Sequence, residues 1–155
     1  RIIHRKADMS ESQYVTARVN GQLLGLPIEA VDEVFLVGAT TPVPLAPPEI
    51  SGVLNLRGRV VTTVDTRTLL DFPAAEGEGR MAVGIEWRNE AFGLMIDEIG
   101  DVLALDDADR EAPPSNLDRR WLEVVTGVHR LPEELLLIVD VMRAIGRIGH
   151  QGGNA

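Results

Sequence analysis

Two blocks of this sequence recur in the same order with the same polarity pattern, and that duplication restricts the fold more than any other feature. Leu24-Gly25-Leu26-Pro27-Ile28-Glu29-Ala30-Val31-Asp32-Glu33-Val34 lines up with Phe92-Gly93-Leu94-Met95-Ile96-Asp97-Glu98-Ile99-Gly100-Asp101-Val102 at an offset of 93 − 25 = 68. Gly52, Val53, Leu56, Val60, Val61, Val64 and Asp65 line up with Gly127, Val128, Leu131, Leu135, Leu136, Val139 and Asp140 at 127 − 52 = 75. The second half therefore carries about seven extra residues, which fit best in the acidic stretch around Pro113-Pro114. Chance resemblance between two β-hairpin runs is the alternative, but order, turn positions and apolar faces agree over two separate blocks.

The repeated elements read as strands. Gln13 to Val19 alternates, with Val15, Ala17 and Val19 on one face. Asn20-Gly21 follows, a hairpin signal because a type I′ turn needs positive φ at both central residues. Leu23 to Leu26 returns, Ile28 to Val31 suits a turn of helix, and Asp32 to Val37 reads as a third strand. The proline-rich stretch Gly38 to Pro48 is expected to be a surface loop or edge extension. Val53 to Leu56 and Val60 to Val64 form a hairpin around Arg57-Gly58-Arg59, and Phe72 to Arg80 has the composition of a linker.

In the second half, Met81, Val83, Ile85 and Trp87 share one strand face, Arg88-Asn89-Glu90 turns, and Phe92 to Ile96 returns. Asp106 to Asn116 is expected to be a solvated loop and Asp118 to Trp121 one helical turn. Leu122 to Val128 and Leu135 to Val139 read as strands joined at Leu131-Pro132-Glu133-Glu134, with a short helix through Val141, Ala144 and Ile145. Small strand sets curl to remove exposed edges. The expected fold is mainly β: two similar five-stranded barrels packed around a shared core, with short helices. Residues 13–146 form one domain of two intertwined lobes, its repeat halves spanning 13–70 and 81–146. Residues 1–12 and 147–155 are expected to be flexible ends.

Composition narrows the function. Hydrophobic residues at 45% and charged residues at 25% suit a soluble globular domain. A net charge of −9 disfavours nucleic acid, and the candidate basic patches, Arg57 with Arg59 and Arg119 with Arg120, lack interleaved aromatics. With no cysteine there is no disulfide framework, thiolate nucleophile or Cys-based metal site, and a reducing cytoplasm fits. The longest apolar run, Leu135 to Val139, is far short of the ~20 residues that span a bilayer. No apolar signal core marks the N-terminus.

Catalytic chemistry finds no constellation. Ser10, Ser12, Ser51 and Ser115 lack a nucleophile-elbow context, and His4, His129 and His150 are far apart in sequence. Lys6, the only lysine, lies in the leading segment. Asp106, Asp107 and Asp109 lack the glycine turn and terminal glutamate of a calcium loop. Asp65 and Asp140, at matching positions after apolar strands, suit helix caps better than acid–base work. The expectation is therefore no enzyme, no catalytic residue, no metal and no cofactor. A small-ligand-binding or hydrolytic β-barrel remains the alternative from another class, since clefts between lobes can host chemistry.

The stretch Ile50-Ser51-Gly52-Val53-Leu54-Asn55-Leu56-Arg57-Gly58-Arg59-Val60-Val61, followed by Val64-Asp65-Thr66-Arg67, resembles the CheW-like domain family, adaptors of bacterial chemosensory arrays. Gly25-Leu26-Pro27-Ile28 leading to Val31-Asp32-Glu33-Val34, and Gly93 to Asp97 with Asp101-Val102-Leu103, extend the resemblance over about Gln13 to Gly146. Two positions depart from the common family pattern: Thr62, where proline is frequent, and Thr66, where leucine is. The resemblance implies a non-enzymatic cytoplasmic scaffold, recruited to receptor arrays, that couples chemoreceptors to the histidine kinase CheA. The regulatory domain of a CheA-type kinase, or an adaptor of a non-chemotactic pathway, is the alternative within the family.

It further implies receptor contacts at Val31, Glu33, Gly52, Arg57 and Met81, in a groove that takes a receptor's helical hairpin tip. The kinase-facing edge falls at Val37, Thr41 and Val43. Neither nucleic acid nor direct membrane insertion is implied. Arg57 has two readings, a fork for a partner's carboxylate or carbonyls and an intramolecular pair with Glu33 or Asp65. Val31 and Met81 are either the floor of that groove or plain core. Gly52 and Gly58 suit close backbone approach or positive φ. The second half has Leu131-Pro132-Glu133-Glu134 where the first has its arginine turn, so the fold needs the hairpin twice but the arginines once.

Overall fold

The computed structural model of the chain describes residues 10–74 and 80–148. The first repeat supplies β1 (Glu11–Val19), β2 (Gln22–Pro27), a 3₁₀ turn (Ile28–Ala30), β3 (Glu33–Leu36), β4 (Ile50–Leu56), β5 (Arg59–Asp65) and α1 (Thr66–Leu69). The second supplies β6 (Met81–Trp87), β7 (Glu90–Ile96), β8 (Glu98–Asp106), a 3₁₀ turn (Asp107–Asp109), α2 (Arg119–Leu122), β9 (Val125–Arg130), β10 (Leu135–Val139) and α3 (Val141–Gly146).

The strands form two five-stranded sheets, in the orders β8-β1-β2-β10-β9 and β3-β6-β7-β5-β4. Each sheet takes the first two strands of one repeat and the last three of the other. Neither repeat therefore builds a lobe alone; the chain crosses over after β2 and again after β7. The registers are equivalent: Thr16 opposes Gly25 across β1–β2 as Gly84 opposes Gly93 across β6–β7. Ile138 lies beside Gly25, and Thr63 beside Gly93, across the parallel β10–β2 and β5–β7 pairs.

Both sheets close into barrels by the same device. Past the edge strand β3 the chain reaches the opposite edge, where Thr41 and Val53 exchange backbone hydrogen bonds of 2.8 and 2.9 Å. Past β8, Glu111 and Val128 do the same at 2.9 Å each way. The expected Gly38–Pro48 loop is thus the seam of one barrel. Closure satisfies edge N–H and C=O groups that would otherwise recruit another chain.

Three apolar clusters follow from strand alternation. The largest lies between the sheets and draws Val15, Ala17, Val19, Leu24 and Leu26 from one and Val64, Val83, Ile85, Leu94 and Ile96 from the other, joined by Trp121, Val141 and Ile145. Tyr14, Leu23, Leu136 and Ile138 fill one barrel; Phe35, Val37, Val61 and Ala82 fill the other. The repeated glycines make these interiors possible. A Cβ on Gly25 would lie 2.6 Å from a Leu136 methyl, and one on Gly93 would lie 2.8 Å from the Phe35 ring.

Both matched aspartates are caps. Asp65 accepts from the N–H groups of Arg67 and Thr68 at the start of α1, and Asp140 accepts from the Arg143 N–H at the start of α3. Asn20 and Gly21 have φ of 53° and 83°, the expected type I′ signature, and Arg88 with Asn89 reproduces it at 52° and 66° without glycine.

Several boundaries differ from expectation. β1 begins at Glu11, two residues early, because β8 gives Glu11 and Ser12 partners in Asp106 and Leu105. The strand expected from Leu122 starts at Val125, since Asp118 caps a helical turn through Leu122. Phe72, placed in a linker, packs on Trp121 with ring centroids 5.6 Å apart. Ile148 packs on the main core and Arg147 pairs with Glu123, so order extends past the expected start of the tail. The nine-residue β8 had no counterpart in the strand-by-strand reading. It is an edge strand with no fully buried residue, and Gly100 and Asp101 interrupt its alternation. The rest of the expected flexible ends and residues 75–79 lie outside the described residues.

Candidate binding surface

The β4–β5 hairpin turns through Arg57 and Gly58, whose φ values of 51° and 84° make a type I′ turn. The Asn55 side chain secures it by accepting from the Gly58 N–H at 2.8 Å. This geometry lifts the Arg57 side chain out of the sheet, where it is 69% exposed and pairs with Glu33. Glu33 opens β3, an edge strand of the same closed sheet, so the pair ties the turn across the barrel mouth. Of the two intramolecular partners open to Arg57, the structure selects Glu33. Asp65 instead faces Arg80, 3.7 Å away. Beside this pair, Arg59 lies 3.5 Å from Glu86.

The five receptor-contact candidates do not form one patch. Glu33 and Arg57 touch, and Val31 lies two residues before Glu33, half-buried against the main core. Met81 opposes Leu36, three positions along β3 from Glu33 and about 10 Å away at strand rise. It too packs partly on the main core. Gly52 is buried at a register shift, and a Cβ there would lie 2.8 Å from the Thr41 carbonyl oxygen and 3.0 Å from Thr40 Cβ. Its close approach is to its own chain: Gly52 lets the seam lie flat on β4.

The kinase-facing candidates divide as well. Val37 is 4% exposed inside the barrel, with its N–H donating to the Arg80 carbonyl. Thr41 is exposed and makes the seam bridge; Val43 is 41% exposed. The same edge carries Leu36 at 63% and Leu45 fully exposed with a φ of 63°, unusual for leucine. Sequence reasoning passed over these two apolar side chains. Leu36 was detectable as the outward member between Phe35 and Val37; the exposure of Leu45 depends on the path of the seam.

A second missed feature is a charged knot where the sheets meet. Arg67 grips Asp97 through Nε and Nη2 at 2.8–3.1 Å, and Arg80 approaches Asp97 at 3.5 Å and Asp65 at 3.7 Å. Asp97 also accepts from the Asn20 N–H at 2.7 Å, which ties the end of β7 to the β1–β2 turn of the other sheet. Burial pushes the Asp97 carboxyl up, but the Arg67 hydrogen bonds, the Asn20 N–H and the charges of Arg67 and Arg80 outweigh it and hold the group below the usual aspartate range. Arg67 is correspondingly raised, first by its hydrogen bonds to Asp97. Asn20, Asp65, Arg67 and Asp97 were legible as parts of motifs and Arg80 only as the end of a linker; their convergence required the crossover.

Among the described residues no group of three or more His, Asp or Glu side chains is placed to hold a metal, and no helix is long and apolar enough to cross a membrane. The surface offers paired charges on a fixed turn and an apolar edge, which is equipment for holding another protein.

Known proteins with the same architecture agree. The family profile of the CheW-like domain matches residues 13–148. The Chemotaxis protein CheW of Treponema pallidum is 26% identical over 149 residues, covering 89% of this chain and 86% of that protein. Those of Rhizobium meliloti and Bacillus subtilis are 28% and 27% identical, covering 83% and 86% of this chain and 84% and 86% of theirs. The crystal structure of scaffolding protein TtCheW from Thermoanaerobacter tengcongensis shares the fold, with a TM-score of 0.73 and 23% identity over 83% of this chain and 88% of that one. With its duplicated, crossed-over barrels and its asparagine-leucine-arginine-glycine turn, the chain belongs to the CheW-like domain family.

Proposed function

We propose that this chain is a non-enzymatic coupling scaffold of a chemosensory pathway, working in the cytoplasm at receptor arrays. It links the helical hairpin tip of a chemoreceptor to the regulatory domain of a CheA-type kinase. The observation that carries this reading is the exposed Glu33–Arg57 pair on the type I′ turn. It occupies the one hairpin end at which the two repeats differ most, since the equivalent turn of the other barrel is Leu131 to Glu134. A scaffold needs duplicated barrels for stability and a single address for a partner; the arginine turn supplies the address.

Receptor contact is assigned to Arg57, Glu33 and the adjoining Val31, with Gly52 acting indirectly by seating the seam. Met81 belongs to a separate part of the surface and contributes through core packing. Kinase contact is assigned to the exposed apolar edge of Leu36, Thr41, Val43 and Leu45, with Val37 as its internal support. The first surface centres on the hairpin end and the second on the seam edge of the same barrel.

The test is capture of the chain on an immobilised receptor cytoplasmic fragment and, separately, on the kinase regulatory domain. Arg57→Ala should lower receptor capture about tenfold or more while leaving kinase capture intact, and Leu45→Asp should do the reverse. Folded variants that bind both partners like the parent would remove the assignment.

A further inference from the structure

The charged knot of one sheet has a counterpart in the other, and there the arginines are missing. Applying the repeat registers, Arg67 corresponds to Met142, Arg80 to Ser12, Asp97 to Glu29, Asp65 to Asp140 and Ser51 to Thr126. The two acidic positions are kept as acids, but both arginine positions have lost their charge. Where two guanidinium groups sit in the first case, the second has an open cleft of about 340 Å³, lined by Ser12, Glu29, Thr126, Asp140 and Met142.

The carboxylates of this cleft are only partly engaged. Among the described residues Glu29 makes no ion pair or side-chain hydrogen bond. Asp140 uses Oδ1 to cap α3, and its Oδ2 lies 4.0 Å from Arg143 Nε. Arg110 forms one wall, but it lies over Gly127 and donates to Thr126 Oγ1 at 2.9 Å rather than to either acid. The cleft thus presents the acceptor half of an arrangement whose complete form stands in the same molecule. A guanidinium is planar and donates in a fork, which suits recognition by carboxylates such as these.

We propose that this cleft receives an arginine side chain presented by a partner protein, seated between Glu29 and Asp140 as Arg67 and Arg80 are seated against Asp97 and Asp65. The surface lies on the sheet opposite the arginine turn and is independent of the receptor and kinase assignments above. The net charge of −9 favours the approach of a basic partner.

The test titrates the full chain with an N-acetylated Gly-Arg-Gly amide, following backbone amide shifts by NMR, with the citrulline peptide as the uncharged isostere. The arginine peptide should move the amides of Glu29, Ala30, Thr126 and Asp140 saturably, and the citrulline peptide should not. Glu29→Gln should weaken binding about tenfold. Met142→Arg, which restores the missing donor within the chain, should abolish peptide binding and raise the thermal midpoint. Equal shifts with citrulline, shifts confined to other surfaces, or undiminished binding by folded Glu29→Gln would each overturn the proposal. Glu29→Gln keeps the test decisive should Met142→Arg fail to fold.

Discussion

The two barrels share registers, interior glycines, capping aspartates and seams, yet they differ at both ends. One barrel closes its hairpin with Arg57-Gly58 and locks its junction with Arg67, Arg80, Asp65 and Asp97; the other has Leu131 to Glu134 and a cleft at the equivalent places. Strand registers, interior glycines, helix caps and seams recur in both barrels, whereas the arginine turn and the arginines of the junction occur in one. A fold built twice is free to vary the positions that neither core nor ladder requires, and the proposed recognition surfaces are drawn from those positions.

The largest contrast should come from the two matched acids. Asp97→Ala leaves Arg67 and Arg80 partly buried without their shared partner and frees the Asn20 N–H, and it should cost about 2–3 kcal/mol in urea denaturation. Glu29→Ala, its exposed counterpart, should stay within about 0.5 kcal/mol of the parent. Equal losses would show that Glu29 is held by stabilising contacts of its own. The sign of the pH dependence follows from the lowered Asp97 carboxyl. Its stabilisation is fully present above the ordinary aspartate value of 3.8 and fades as pH falls through the lower folded value. The stability gap between the parent and Asp97→Asn should therefore be flat near neutrality and close in acid below 3.8.

The matched glycines give the next contrast. Gly52→Ala drives a methyl against the Thr41 carbonyl, which its bridge to Val53 holds in place, and should cost about 1–3 kcal/mol by thermal denaturation. Gly127→Ala meets Arg110 Nε instead, the far part of a long side chain able to swing aside, and should cost less than about 1 kcal/mol. A large loss at Gly127 would mean that Arg110 is a fixed structural element of its seam.

Much of this was readable in the sequence because it is local or periodic. Alternation exposed most of the strands, Asn20-Gly21 exposed a turn, and the spacing of Asp65 and Asp140 after apolar runs exposed the caps. What stayed hidden depends on topology. The same hairpins fit two separate barrels or two exchanged ones, and only strand order shows that β1 and β2 leave their own repeat. The Arg67–Asp97 contact spans the two repeats, so no spacing rule reaches it. Val37, placed at the kinase-facing edge by the resemblance, faces the barrel interior, because the alternation of β3 continued to Val37 sends Phe35 and Val37 inward and Leu36 out. At Gly52 the reading of close backbone approach held, but the approaching backbone is the chain's own seam.

The smallest stability effect belongs to the Glu33–Arg57 pair, and it discriminates most sharply between bracing and recognition. With Arg57 69% exposed, the pair contributes under about 1 kcal/mol, so Arg57→Ala should leave urea denaturation nearly unchanged. Exchanging the charges in Glu33→Arg with Arg57→Glu restores attraction across the barrel mouth but reverses the face shown to a partner. If the pair only braces the turn, the exchanged protein should regain the receptor capture lost in either single variant. If Arg57 itself is read, capture should stay lost while kinase capture and stability stay intact. The second outcome is expected, because Arg57 is largely exposed and its pair with Glu33 adds little to the fold.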